Sequence, residues 1–406
     1  MPEPGSDSDL RRGDRPHVYL HIGAMKTGTT FLQHLLNAHR EPLTAAGFGL
    51  PTRPAYWLRQ VNRSADPDAG DGLVRAVVEH PGPSIVSWEF LSFADRGRAE
   101  RLLARLDGAE AEVVLTIRDA ARTLPAQWQT KCRNGGTMGW QRFLEDVDGL
   151  LESGRPSKSA RVFRRSQDIG RMLDVWVPLL GPERVHVVTV PPKGSDPMLL
   201  WRRFADVVGA DPALTAPDDV PSNPTLGWPS SELLRRLNTT LGKRIDKDQY
   251  QRVVRGVVAR LLERRVPEEP GIQLTPLARS LAARWNVATR EAVSAAGVPV
   301  VGTLEDLPDT AGGEPDADVT PPRRPELLAA ATTARDGLLR LEALLVDGRK
   351  AADAVTETTS PGHWGGDRPV RAAVAELADR VVRCAELDTR KGRLGSLTGF
   401  GYAQRW

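Results

Sequence analysis

Lys26-Thr27-Gly28-Thr29-Thr30 is the densest group of chemically able residues in the chain. It follows an apolar run from His17 to Ile22 and a first glycine, Gly23. After it, Phe31, Leu32, Leu35 and Leu36 recur at helical spacing. Strand, glycine loop and helix start, in that order, make an anion site. The first N–H groups of a helix are unpaired, and its dipole puts about half a positive charge there. Lys26 adds a full charge, and the hydroxyls of Thr27, Thr29 and Thr30 add donors. The chemistry is that of holding a nucleotide phosphate. Gly23 and Gly28 have the spacing of the phosphate loop of nucleotide hydrolases, but that motif requires lysine directly after the second glycine. Thr29 stands there, and the lysine comes before the glycine, so the ATPase arrangement of lysine and magnesium is not met.

Two further residues stand at strand ends. Val113-Val114-Leu115-Thr116-Ile117 is an apolar run with the character of a buried strand, and it ends in Arg118-Asp119. Ser84-Ile85-Val86-Ser87-Trp88 is a shorter one, ending at Glu89. An arginine fork suits a phosphate. A carboxylate shielded from water by Trp88 and Phe90 suits a general base. His21 is the second choice for a base, since it adjoins the loop, although a structural role, with its ring bonded to a neighbouring strand or loop, is the better reading. His186 reads as a strand histidine satisfied by its neighbours, and His34 and His39 as packing or surface residues.

These residues must be positioned by strands that alternate with helices. Strands are expected at 17–22, 84–88, 112–117, 184–190 and, at an edge because of Pro299, 298–302. Helices are expected at 29–39, 73–79, 96–106, 121–132, 139–151, 168–180, 198–208, 230–241, 247–264 and 275–295. This alternation means an α/β fold with a mainly parallel sheet. In such a sheet ligands sit beyond the carboxyl ends of the strands, which gathers the loop after Ile22, Glu89 and Arg118 at one edge. Residues 1–15 read as a disordered tail, 16–307 as the main domain and 308–325 as a linker rich in Pro, Asp, Gly and Glu. The remainder, 326–406, reads as a helical C-terminal extension, with helices at 326–345 and 369–387.

The loop order Lys-Thr-Gly-Thr-Thr, opening a helix after a strand, resembles the 5′-phosphosulfate loop of sulfotransferases, which use 3′-phosphoadenosine 5′-phosphosulfate. The 113–119 run is similar to that family's second motif, whose terminal arginine binds the 3′-phosphate of the donor. The 185–190 strand, followed by Asp196-Pro197 and a Leu-Leu-Trp-Arg-Arg-Phe helix, resembles its later strand and helix. Trp176, Asn223 and the 233–238 run fit bacterial members, particularly actinobacterial ones, and the likeness spans roughly 16–307. It implies a nucleotide-kinase-like three-layer core. It also implies that Lys26 contacts the bridging oxygen of the phosphosulfate, and that Gly28, Thr29 and Thr30, with Thr27, bind the 5′-phosphate. Phe31 would then lie near the adenine, Arg118 would anchor the 3′-phosphate, and Glu89 would serve as base. The product would be adenosine 3′,5′-bisphosphate. The acceptor implied is a hydroxyl or amine of a carbohydrate, glycolipid or secondary metabolite. One departure stands out: Ala126 occupies the position where the family usually has a serine for the 3′-phosphate, and Gln127 or Arg122 is the candidate replacement. A charge-assisted hydrogen bond of that kind is worth about 1.5–3 kcal/mol. Arg390-Lys391-Gly392-Arg393-Leu394-Gly395 resembles a third donor motif but lies in the polar tail, where a chance basic run explains it. Arg53, Arg59, Arg63 and Trp57 are candidates for an acceptor pocket or a lid.

Composition restricts the alternatives. The 406 residues carry a net charge of only +3, which does not suggest nucleic-acid binding. Eight of the 55 basic residues are lysine, a bias that a GC-rich genome explains as well as any function. Cys132 and Cys384 are too distant for a metal-ligand spacing and read as free thiols, so no metal is expected. There is no apolar segment of a signal peptide or membrane span, and a cytoplasmic location is expected. Two other functions remain open on the residues alone: a phosphotransferase of the phosphate-loop class, with Asp119 on a magnesium-holding strand, and a non-catalytic nucleotide-binding assembly protein.

Overall fold

The computed structural model describes residues 15–52, 71–154, 157–216, 226–310, 320–347 and 369–391. Asn223, the arginines at 53, 59 and 63, Trp57 and most of the 390–395 run lie outside them, as do most of the expected tail and linker.

Five parallel strands form one sheet in the order β2-β1-β3-β4-β5. They are β1 (His17–His21), β2 (Ser84–Ser87), β3 (Glu110–Ile117), β4 (Val185–Thr189) and β5 (Val300–Val301). The two-residue β5 lies at the edge, where Pro299, lacking an N–H, is tolerated. Successive side chains of a strand face opposite ways, and both faces are covered. Val18, Leu20, Val113, Leu115, Val185 and Val187 pack into one apolar layer with α3 (Asp71–Val78), α4 (Arg96–Arg105) and α8 (Ile169–Leu180). Ile85, Val114 and Val188 pack into the other with α1 (Thr29–Ala38) and α9 (Leu199–Val208), where Trp201 and Phe204 are fully buried. A short α2 (Arg40–Ala45) follows α1. The α/β reading of the sequence therefore holds.

A third core is wholly helical. It joins α5 (Ala120–Arg133), α6 (Trp140–Ser153), α10 (Trp228–Leu241) and α13 (Pro276–Ala296) to two late helices, α14 (Arg324–Val346) and α15 (Val370–Lys391). Leu338, Leu345, Leu377 and Val381 are fully buried in it. The expected helical C-terminal extension is present, and its two helices pack against the same helical core.

Three elements depart from the sequence expectation. The helix α7 (Lys158–Gln167) lies where no helix is expected; its four basic residues and few apolar ones leave a weak stripe. Glu89–Phe93 forms a 3₁₀ turn. The expected single helix at 247–264 is divided: α11 (Lys247–Gln249), a π-helical stretch at Tyr250–Val258, and α12 (Ala259–Glu263). A π-helix closes i→i+5 bonds and is uncommon at this length.

Because α14 completes a shared core, Leu338→Ala is expected to cost about 2–5 kcal/mol. Denaturant unfolding followed by tryptophan fluorescence should show the transition of the whole chain at lower denaturant. An unmoved midpoint would place α14 outside the core.

Candidate anion-binding site

The site is built where β1, β2 and β3 end. Parallel pairing sets His21 beside Ser87 on one side and Val114 on the other. The chain beyond β1 continues along β3: Ile22 N donates to Val114 O at 3.0 Å and Ala24 N to Thr116 O at 3.0 Å. It then leaves the sheet at Met25. There α7 holds it, with Met25 N donating to Ser166 O at 3.3 Å and Gln167 Nε2 donating to Met25 O at 2.6 Å.

The loop needs both its glycines. Gly23 lies so near Thr29 and Thr116 that a Cβ would approach them to 2.5 and 2.6 Å. Gly28 takes φ 86°, and a Cβ there would meet Leu200 at 2.4 Å. Lys26 is the non-glycine residue with positive φ, 68°, among the described residues. That conformation costs a side-chain-bearing residue about 1–2 kcal/mol and tends to be kept where function demands it. Gly28 is the N-cap of α1 and offers no side-chain cap, so the first N–H groups of the helix are not satisfied by a capping side chain.

Arg118 closes the loop from the side. It follows β3 directly, and its Nη1 donates to Lys26 O at 3.0 Å. Its Nε is buried and has no hydrogen-bond partner. Burial, with Arg122 beside it, pushes the guanidinium down to about 10, so it remains a cation at neutral pH. Arg122 in turn donates to Pro191 O at 2.6 Å, tying the start of α5 to the end of β4. Ala126 is buried, and Nε2 of the adjacent Gln127 is also buried without a partner.

Glu89 starts the 3₁₀ turn after β2. Gln33, on α1, donates to Glu89 Oε2 at 3.2 Å and to Ser87 Oγ at 3.2 Å. Trp88 beside it is buried, whereas Phe90 is 40% exposed. Lys26 lies in the field of Glu89, which favours its charge, but burial and the cations Arg133, Arg118 and Arg255 together hold its pKa below the ordinary lysine value. An electropositive, partly desolvated pocket of this kind favours an anion.

The side chains around the loop differ in how open they are. The Thr27 hydroxyl is buried and committed inside the protein, to Ala24 O at 2.5 Å and Thr116 Oγ1 at 2.7 Å. Thr29 is likewise buried, and its methyl packs at Gly23, which leaves Thr30, half-buried, as the more open hydroxyl. Phe31 packs partly against the α1–α9 core. His21 is fully buried: Nδ1 is 2.7 Å from Ser87 Oγ, Nε2 is 3.4 Å from Thr116 Oγ1, and the ring meets Phe204 edge-on. It braces the strand ends and is not presented as a base. His186 pairs with Glu112 at 2.6 Å.

Sequence reasoning missed several positioning residues. Gln33 recurs one turn after Thr29 and Thr30, a helical periodicity that could have suggested it. Asn286, buried in α13, accepts from Ala120 N at 2.9 Å and donates to Asp119 Oδ1 and Pro308 O, each at 2.8 Å. It thereby fixes the corner that carries Arg118. Its signal was a lone asparagine amid a helix. Ser166 and Gln167 gave no signal, because their helix was not recognised.

No protein-family model and no curated protein matches the chain. Among solved structures, a crystal structure of a sulfotransferase from Alicyclobacillus acidocaldarius is similar to 56% of this chain and 90% of that chain, with 16% identity and a TM-score of 0.36.

Burial drives the His21 pKa down to about 3. Below pH 6.5 the unfolded chain takes up a proton that the folded chain refuses, so stability falls as pH drops from about 6.5 toward 3. Denaturant midpoints measured across this range should decline with acid, and less steeply in His21→Gln. Equal slopes would show that His21 is not held neutral.

Proposed function

We propose that this chain is a sulfotransferase that uses 3′-phosphoadenosine 5′-phosphosulfate and transfers the sulfuryl group to a hydroxyl or amine. The observation that carries the reading is the convergence of three features at the loop after β1: an α1 N-terminus without a side-chain cap, a lysine held at positive φ, and a buried arginine that bonds Lys26 O and whose Nε has no partner. A donor with phosphates at both the 5′ and 3′ positions fits that set. The orphaned buried donor atom of Arg118 is what a phosphate oxygen satisfies.

When bound, the nucleotide supplies an activated sulfuryl group on a phosphate leaving group. The residues then divide the work. The backbone of Gly28, Thr29 and Thr30 and the Thr30 hydroxyl hold the 5′-phosphate. Arg118, with Arg122 next to it, anchors the 3′-phosphate. Lys26 holds positive charge where negative charge develops on departure, and its desolvated setting strengthens that interaction. Glu89 takes the proton from the attacking group, with Gln33 fixing the carboxylate. The strain at Lys26 is consistent with a side chain placed for reaction and not for stability.

Calorimetric titration with adenosine 3′,5′-bisphosphate tests the donor site. Tight binding is expected, weakened roughly 10- to 100-fold in Arg118→Ala, the value of a charge-assisted hydrogen bond. Equal affinity in both proteins would refute the assignment. Magnesium-dependent ATP turnover without bisphosphate binding would favour a phosphotransferase. Glu89→Gln is expected to leave bisphosphate affinity unchanged while sulfuryl transfer falls about 10²- to 10⁴-fold, the usual worth of a general base. Unchanged transfer would remove Glu89 from the reaction.

A further inference from the structure

Ala24 O, Thr27, Thr116, His21 and Ser87 stand in a line under the loop, each in contact with the next. Thr27 Oγ1 lies 2.5 Å from Ala24 O and 2.7 Å from Thr116 Oγ1. His21 Nε2 lies 3.4 Å from Thr116 Oγ1, and His21 Nδ1 lies 2.7 Å from Ser87 Oγ. The line enters α1 at Gln33, whose Nε2 is 3.2 Å from Ser87 Oγ, 3.4 Å from Ser87 O and 3.2 Å from Glu89 Oε2. It therefore runs from the loop that carries Lys26, across the ends of β3, β1 and β2, to the carboxylate that follows β2.

The supply of hydrogens fixes the direction of this line. Each hydroxyl carries one hydrogen, and so does a neutral imidazole. A carbonyl only accepts, so Thr27 donates to Ala24 O. Thr116 must then donate to Thr27, His21 Nε2 to Thr116, and Ser87 to a bare His21 Nδ1. The other imidazole tautomer leaves one of these contacts with two facing lone pairs and no hydrogen between them. An imidazolium leaves the Ser87 hydrogen without its acceptor, and burial keeps His21 neutral at physiological pH. With its hydrogen spent on His21, Ser87 Oγ accepts from Gln33. That decides the Gln33 amide, because Oε1 in the place of Nε2 would set its lone pairs against three oxygens. Gln33 thus spends one hydrogen on Ser87 and the other on Glu89 Oε2. Among the described residues no hydrogen bond engages Glu89 Oε1, so one carboxylate oxygen is held and the other is open to a proton.

We infer that His21 is a positioning residue of the reaction: as the neutral Nε2–H tautomer it orients the Ser87 hydroxyl and, through it, the Gln33 amide that aims Glu89. This rests on the sulfotransferase reading above. The base and the phosphate loop are then two ends of one hydrogen-bonded chain, anchored on the Ala24 carbonyl. The hydroxyl at position 87 matters to the reaction although it touches no reacting atom.

The test uses the full chain. In nitrogen-15 NMR at neutral pH the His21 ring, identified by the signals that His21→Gln removes, should show a protonated Nε2 and a bare Nδ1. A protonated Nδ1 would overturn the inference. Ser87→Thr and Ser87→Val are then compared, since their side chains have nearly one shape and differ in the hydroxyl, which a packing role would not register. The carboxyl carbon-13 resonance of Glu89 should move in Ser87→Val and stay near the wild-type position in Ser87→Thr. Gln33→Met should move it as well, and the double variant with Ser87→Val should move it no further, because Ser87 acts through Gln33. A resonance indifferent to the hydroxyl, or additive shifts, would overturn the chain. Release of sulfate from the donor, with water as acceptor, should fall about fivefold in Ser87→Val, the worth of one hydrogen bond, while donor KM and bisphosphate affinity hold. A loss of bisphosphate affinity as large as the loss of rate would assign Ser87 to the phosphate loop and not to the base. If the wild type binds no bisphosphate, the sulfotransferase reading fails; the His21 tautomer and the Glu89 resonance, which need no nucleotide, then decide the chain alone.

Discussion

The hydrogen bond from Arg118 to the carbonyl of Lys26 joins the two strands on which the site depends. It spans 3.0 Å between the end of β3 and the loop after β1, and it uses one donor of a buried guanidinium whose Nε has no partner. A buried cation is costly unless its donors are engaged. That cost is met here only in part by the protein's own acceptors. The same bond holds Lys26 in the left-handed conformation that a lysine would otherwise avoid. Loop shape and loop charge are therefore one problem with one solution.

Around this bond the protein is braced from several directions. His21, Ser87, Thr116 and Thr27 form a buried polar network under the loop. Ser166 and Gln167 hold Met25 from above, and Asn286 locks Asp119 and Ala120 beside Arg118. Among them the side chains of Thr27, Gln167 and Asn286 bond backbone groups of Ala24, Met25 and Ala120 near the turn out of the sheet. Satisfied networks of this type rigidify, and rigid donors stabilise developing charge without reorganising.

The helical core does a different job. Through Tyr250 and Asn238 it fixes the far end of α5, and through Arg252 and Asp388, paired at 2.6 Å, it ties the π-helical stretch to α15. The late helices thus bear on the π-helical stretch, although they lie far along the chain from it.

The strand, glycine loop, helix and the terminal Arg118 could be read from sequence because each is a local pattern. An apolar run, two glycines and a 3.6-residue stripe are set by neighbouring residues, and the carboxyl-edge rule then gathers Glu89 and Arg118 beside the loop. The α/β alternation followed for the same reason. What the sequence left undetermined depended on distant partners. Thr27 and Thr29 looked like open donors, and only packing against Thr116 and Gly23 turned them inward. The π-helical stretch has an ordinary helical pattern in sequence, and Tyr250 at its start bonds Arg133 O and Asn238 Oδ1, both distant along the chain. Among 55 basic residues nothing in composition or spacing singled out Arg133 and Arg255. Both act on the Lys26 charge through space, and the field of a charge depends on distance and burial and not on order along the chain.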